Sequence, residues 1–232
     1  MSARNSRVAH FDTLYVLALL FPRSCFLCER CLPYAQEPTD FCRHCQLLLR
    51  QQASLRQTTQ GHYFLYHHQG IVKTLIKQAK AKPSYRTFMN LVLLTRAELA
   101  CFDNQRFDAA IPMPSKYTSL MQRQFSPAFE FAAQCTTVCH IPMRTDVLRL
   151  RKKIQKQSRL SRSARKENVA DAFEATAAVK GTRLLLVDDV LTTGATMQAA
   201  KNALLQQGAG SVTTISLTAS VLSYAHHETP PG

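Results

Sequence analysis

In the stretch Leu184-Leu-Leu-Val-Asp-Asp-Val-Leu-Thr-Thr-Gly-Ala-Thr196, four apolar residues run into two acids, and a Thr/Gly loop follows. An unbroken apolar run of this length reads as a strand buried on both faces, the pattern of a parallel sheet. Ligands of such sheets bind beyond the carboxyl ends of the strands. Two adjacent carboxylates there are costly unless hydroxyls or cations satisfy them. Ribose hydroxyls can donate to Asp188 and Asp189, and a Mg²⁺ carried by a pyrophosphate would offset their charge. Thr192, Thr193, Gly194, Ala195 and Thr196 then enter a helix, where backbone N–H groups and hydroxyls can form an anion nest at its positive end. Gly194 permits the close approach a larger residue would hinder. Acids and loop together fit a sugar bearing a phosphate.

Outward from this unit, strands and helices alternate. Met197 to Gln207 reads as a helix stopped by Gly208, and Ser211 to Ser216, extending to Thr218, as another strand. Upstream, Gly61 to Tyr66 reads as an aromatic-rich strand. Ile71, Leu75 and Ile76 recur at helical spacing, with Lys73, Lys77 and Lys80 on another face, up to a break at Pro83. A second helix is expected from Tyr85 to Ala100, a short buried strand over Phe107–Pro112, and a helical segment on to His140. Arg50 to Gln60 is polar and suits a linker or frayed helix end. The alternation predicts an α/β fold, a parallel sheet flanked by helices.

The chain has 232 residues, enough for one such domain and a small appendage. Lys and Arg outnumber Asp and Glu by 29 to 15, which favours polyanionic partners. The surplus is concentrated between Arg144 and Lys166, with ten basic residues against the single acid Asp146. Arg149, Arg151, Lys152, Lys153 and Lys156 are the candidates there for largely sequence-independent contact with single-stranded DNA. Arg149 and Arg151 could equally close over a pyrophosphate.

Five of the eight cysteines fall between Cys25 and Cys45. Cys25-x₂-Cys28 and Cys42-x₂-Cys45 are two knuckles separated by thirteen residues, each able to offer two thiolates to one tetrahedral Zn²⁺. Cys31 or His44 could substitute for one of these ligands. Four thiolates leave no open position for water, so the zinc is expected to be structural. The apolar run Leu14–Phe21 is too short to span a bilayer, and Pro22-Arg23-Ser24 is a poor cleavage site. The expected organisation is an N-terminal amphipathic helix within residues 1–24, a zinc knuckle at 25–45, the main domain at 61–223 and a disordered tail at 224–232. The expected location is cytoplasmic and reducing.

The segment Leu184–Thr196 closely resembles the phosphoribosyl pyrophosphate motif of type I phosphoribosyltransferases. The resemblance implies that fold, with a small N-terminal zinc-binding subdomain added to it. It also implies that Asp188 and Asp189, the catalytic candidates, hold the ribose 2′ and 3′ hydroxyls, while Thr192–Thr196 wrap the 5-phosphate. A second loop of that fold meets the pyrophosphate, and Ile111-Pro-Met-Pro-Ser-Lys116 is suitably placed, with Lys116, Arg123 and Arg151 as candidates. Together with the cysteine knuckles, the chain resembles the ComF/GntX family over nearly its whole length. Lys73–Lys82 is similar to that family's Lys-bearing helix, and Leu148–Phe173 to its run of spaced Arg, Gln, Leu, Arg, Asn and Phe. The family's usual Arg-Gly-Phe-Asn run reads Arg123-Gln124-Phe125-Ser126 here, which is expected to reshape the loop.

The family resemblance implies a role in DNA uptake and natural transformation (competence). It brings phosphoribosyl pyrophosphate with Mg²⁺, single-stranded DNA and a competence helicase or recombination protein as partners. Mg²⁺-dependent transfer of phosphoribosyl to an acceptor is the enzymatic alternative. No helix-turn-helix signal supports a transcriptional regulator.

Overall fold

The computed structural model describes residues 23–32, 39–81, 84–102, 106–115, 121, 124–151, 172–176 and 179–220. The expected N-terminal helix and the tail at 224–232 lie outside them, apart from Arg23 and Ser24. In chain order the elements are α1 (Arg43–Gln52), β1 (Arg56–Gln57), β2 (Tyr63–His67), α2 (Gly70–Ala81), α3 (Tyr85–Leu93), α4 (Arg96–Leu99) and a 3₁₀ turn (Ala100–Phe102). There follow β3 (Ala109–Pro112), α5 (Pro127–Cys139), β4 (Leu148–Leu150), β5 (Phe173–Ala175), β6 (Arg183–Leu191), α6 (Ala195–Gln206) and β7 (Ser211–Ala219).

Five strands form one sheet in the order β1-β2-β7-β6-β3. β2, β7, β6 and β3 run parallel, and only the edge strand β1 is antiparallel. Alternation along β6 feeds two cores. Leu185 and Val187 pack with Val72, Leu75 and Ile76 of α2, Leu91 of α3 and Phe131 of α5. Leu184 and Leu186 pack with Met197, Ala200 and Leu204 of α6 and with Leu148 and Phe173 of the β4–β5 ribbon. The continuous apolar run in β6 is thus explained: both faces are covered.

Three elements differ from the sequence expectation. β6 runs on through both acids to Leu191, because β7 pairs with it that far (Asp188↔Ser216, Leu191↔Ala219). The helix expected over Tyr85–Ala100 breaks near the fully buried Thr95, whose hydroxyl donates to Val92 O at 2.7 Å and competes with the helical backbone. The polar stretch 50–60 is the end of α1 followed by the edge strand β1, paired Arg56↔Phe64. Within the expected helical segment up to His140, Met121 is helical and α5 spans Pro127–Cys139 behind the N-cap Ser126.

The cysteine knuckle is fastened to the main body. Cys25, Phe41, Cys45 and Leu49 are buried in the same cluster as Val72 and Phe88. Asp40 ties the two together, accepting from Thr87 Oγ1 at 3.1 Å and pairing with Arg23 at 3.4 Å and Arg86 at 3.2 Å. No helix among the described residues is long and apolar enough to cross a membrane.

Candidate functional site

Asp188 and Asp189 sit near the carboxyl end of a central strand, and strand geometry turns successive side chains to opposite faces. Asp189 shares the α2 side and forms an ion pair with Lys80 there. Asp188 follows Leu184 and Leu186 on the α6 side, and its Oδ1 accepts from Asp189 N at 2.8 Å. Burial, and next the neighbouring Asp189 carboxylate, push the Asp188 carboxyl well above the usual range, against a smaller opposing pull from Lys80. The pair therefore lacks a counter-charge on the Asp188 side, which hydroxyl donors or a cation would supply.

The loop after β6 is open to solvent. Thr192, Thr193, Ala195 and Thr196 are exposed, and only Gly194 is buried. Gly194 is the N-cap of α6 at φ 78°, ψ −12°, a left-handed conformation that favours glycine. Its carbonyl accepts from Gln198 N at 2.8 Å, and the first N–H groups of α6 are free to meet an anion. Beneath it lie two residues the sequence reading did not assign to the site. A Cβ on Gly194 would stand 2.9 Å from Gln60 Oε1 and 3.5 Å from His62 Nε2. His62 is buried, with its Nδ1 2.6 Å from Thr214 Oγ1 and its Nε2 without a hydrogen bond. Burial, then Lys201, lowers its pKa and keeps the ring neutral. Position 62 immediately precedes the aromatic-rich strand β2 and carries no local motif, so only tertiary contact connects it to the loop.

On the other side of β6, β3 ends at Pro112, and Met113 N donates to Val187 O at 2.8 Å. Lys116 and Arg123 lie outside the described residues. Of the loop expected to be reshaped at Arg123-Gln124-Phe125-Ser126, residues 116–120, 122 and 123 lie outside the described residues. Gln124 adopts φ 60°, the left-handed conformation that a glycine would take without strain. Ser126 caps α5, accepting from Phe129 N at 3.4 Å as an asparagine would.

Residues 128–230 match the phosphoribosyl transferase domain family. The match takes in β6, both acids, the whole loop, α6 and β7, and leaves the cysteine knuckle outside. Among solved structures, the chain is similar to adenine phosphoribosyltransferase from Leishmania tarentolae, at 13% identity over 74% of this chain and 97% of that one, TM-score 0.42. The Saccharomyces cerevisiae adenine phosphoribosyltransferase shows 14% identity over 77% of this chain and 89% of that one, TM-score 0.40. The glutamine phosphoribosylpyrophosphate amidotransferase of B. subtilis shows 18% identity over 57% of this chain, TM-score 0.39, and the chain spans only 28% of its length. No curated protein sequence matches the chain.

Apart from the segment that matches the phosphoribosyl transferase domain family, the cysteine group forms a second potential centre. The thiol sulfurs of Cys25, Cys28, Cys42 and Cys45 all lie within 4.8 Å of one another, and those of Cys28 and Cys42 are 3.6 Å apart. A tetrahedral Zn²⁺ with bonds of about 2.3 Å would set its sulfurs about 3.8 Å apart, so the group fits that ion. Burial raises the Cys25 thiol, but N–H groups of Cys42, Cys28 and Leu27 outweigh it and bring the pKa to about 7. Burial and the surrounding thiols raise that of Cys45. Cys42 also N-caps α1, whose positive end favours thiolates. Cys31 and His44 are not part of this group.

Of the basic segment Arg144–Lys166, only residues 144–151 are described. Arg149 and Arg151 are exposed; Arg149 pairs with Glu174 across the β4–β5 ribbon at 3.8 Å, and Arg151 N donates to Ala172 O at 2.9 Å. Lys152, Lys153 and Lys156 lie outside the described residues. β5 packs on α6, so the ribbon sets Arg151 and Ala172, which flank residues 152–171, on the α6 side of the sheet.

Proposed function

We propose that the protein binds phosphoribosyl pyrophosphate and acts in DNA uptake during natural transformation, with single-stranded DNA running along the basic segment that begins at Arg149 and Arg151. The observation that carries the binding reading is the exposed loop Thr192–Thr196, folded over a left-handed Gly194 at the start of α6 directly after the two acids. Asp188 and Asp189 would hold the ribose hydroxyls, and the loop amides the 5-phosphate. Mg²⁺ entering with the pyrophosphate would offset the acids' charge. Zn²⁺ in the four-cysteine group would hold α1 and the knuckle against α3. The competence role rests on the resemblance of the knuckle-plus-domain arrangement to the ComF/GntX family.

The deciding experiment is calorimetry with phosphoribosyl pyrophosphate and Mg²⁺ on the wild type and on Asp188→Asn/Asp189→Asn. Binding to the former and none detectable to the latter is expected; equal affinities would remove the basis of the reading. DNA contact is checked by titrating labelled single-stranded DNA at several salt concentrations against the triple charge reversal at Arg151, Lys152 and Lys153. Unchanged affinity would exclude that segment.

A second reading, Mg²⁺-dependent phosphoribosyl transfer to an acceptor, is supported by the match of residues 128–230 to the phosphoribosyl transferase domain family. In that reaction the bond from the anomeric carbon to pyrophosphate breaks as the bond to the acceptor forms. Pyrophosphate release on adding an acceptor would report it.

A further inference from the structure

α2 carries Lys73, Lys77 and Lys80 at helical spacing and no acid. Lys80 is engaged by Asp189. Lys73 and Lys77 make no ion pair among the described residues. Between this helix and the end of β6 lies an open depression of about 400 Å³ lined by His68, Ile76, Lys77, Lys80, Ala81 and Val190. That volume is within the range of small-molecule sites. Its walls are of two kinds: cationic heads from Lys77 and Lys80, and apolar surface from Ile76, Ala81 and Val190.

His68 adds to the polar side. The Thr218 hydroxyl donates its single proton to Asp189 O at 3.3 Å, so at the 3.0 Å contact with Thr218 Oγ1 it is His68 Nδ1 that donates. The ring is thereby fixed, leaving Nε2 as its other polar atom. Burial first, and then Lys80 and Lys73, depress the His68 pKa, while Asp189 raises it. The surroundings are net positive, a state an incoming anion would relieve.

Topology separates this depression from the two phosphate positions of the proposed reading. The loop Thr192–Thr196 leads into α6, on the face of the sheet opposite α2. Met113–Ser115 follow β3, on the far side of β6 from β7 and β2. His68 follows β2 and Lys77 lies on α2.

We infer that the depression between α2 and the end of β6 is a third subsite, taking the carboxylate or phosphate of an organic anion that binds beside the phosphoribosyl group, with Lys77 and Lys80 on the charge and Ile76, Ala81 and Val190 on its apolar body. The placement beside the sugar rests on the phosphoribosyl pyrophosphate reading; the preference for an organic anion does not.

The test uses the full-length protein, with and without saturating phosphoribosyl pyrophosphate and Mg²⁺, and four probes: benzoate, phenyl phosphate, uncharged benzamide and acetate. Benzoate and phenyl phosphate should bind in both states. Benzamide and acetate should bind at least about tenfold more weakly, since one lacks the charge and the other the body. Lys77→Met should weaken benzoate about fivefold and leave phosphoribosyl pyrophosphate affinity unchanged, a readout that also shows the variant is folded. Acetate matching benzoate would assign the depression to free small anions and overturn the inference. Benzamide matching benzoate, or Lys77→Met leaving benzoate affinity intact, would also overturn it, as would phosphoribosyl pyrophosphate displacing both charged probes. If phosphoribosyl pyrophosphate itself fails to bind while benzoate still discriminates, the earlier reading fails and the anion subsite stands.

Discussion

Replacing Gly194 by alanine separates two costs that meet at one atom. The first is backbone: at φ 78° a residue with a Cβ crowds its own peptide, which costs about 1–2 kcal/mol. The second is contact: the new methyl would lie 2.9 Å from Gln60 Oε1, too close for any real Cβ. That oxygen is the end of a flexible, exposed side chain and can swing aside for a few tenths of a kcal/mol, whereas the 3.5 Å spacing to the rigid, buried His62 is ordinary contact. The backbone cost should therefore dominate. Denaturant unfolding should show Gly194→Ala losing about 1–2 kcal/mol, a fall in Tm of about 2–8 °C for a chain of this size. Gln60→Ala alone should be close to neutral, within about 0.5 kcal/mol, and the double variant should recover little. A Gly194→Ala variant as stable as wild type would refute the left-handed turn. Full recovery in the double variant would show that the side-chain contact, not the backbone, held the strain.

Two further outcomes are expected. One zinc per chain should co-purify, and stripping it or changing Cys42→Ser should lower Tm and loosen the packing of α1 and α3, because Phe41 and Leu49 share a core with Phe88; a metal-free protein with unchanged Tm would exclude a structural ion. Because the folded-state pKa of His62 is depressed, both states carry it neutral above the unfolded value of about 6.5, but below that pH the unfolded chain gains a proton the folded one refuses. Stability should then fall as pH drops from about 6.5 towards 5, by at most about 1.4 kcal/mol per pH unit for this one ring, and His62→Gln should flatten that slope by one proton's worth in pH-dependent unfolding.

Local pattern was enough for the parts of this protein that local physics controls. The run Leu184–Val187 reads as a doubly covered strand, which it is, and acids followed by a Thr/Gly turn at its end make the candidate ligand pole. The two CxxC knuckles announce their own cluster, because metal geometry tolerates few spacings. Helix α2 was legible from the period of Ile71, Leu75 and Ile76, although the structure buries Val72 and Ala79 with the last two and only partly buries Ile71.

What tertiary structure alone decided are the pairings between distant segments. Nothing near Asp189 in the chain says that Lys80 is its partner, and nothing near Gly194 says that Gln60 and His62 form its floor. The strand's extension through the acids to Leu191 depends on hydrogen bonds from β7, and the depression exists only where α2 meets β6. Sequence records periodicity and local backbone preference, which act over a few residues. Burial, electrostatic pairing and sheet order act through space, and they are set when helices and strands far apart in the chain close over one sheet.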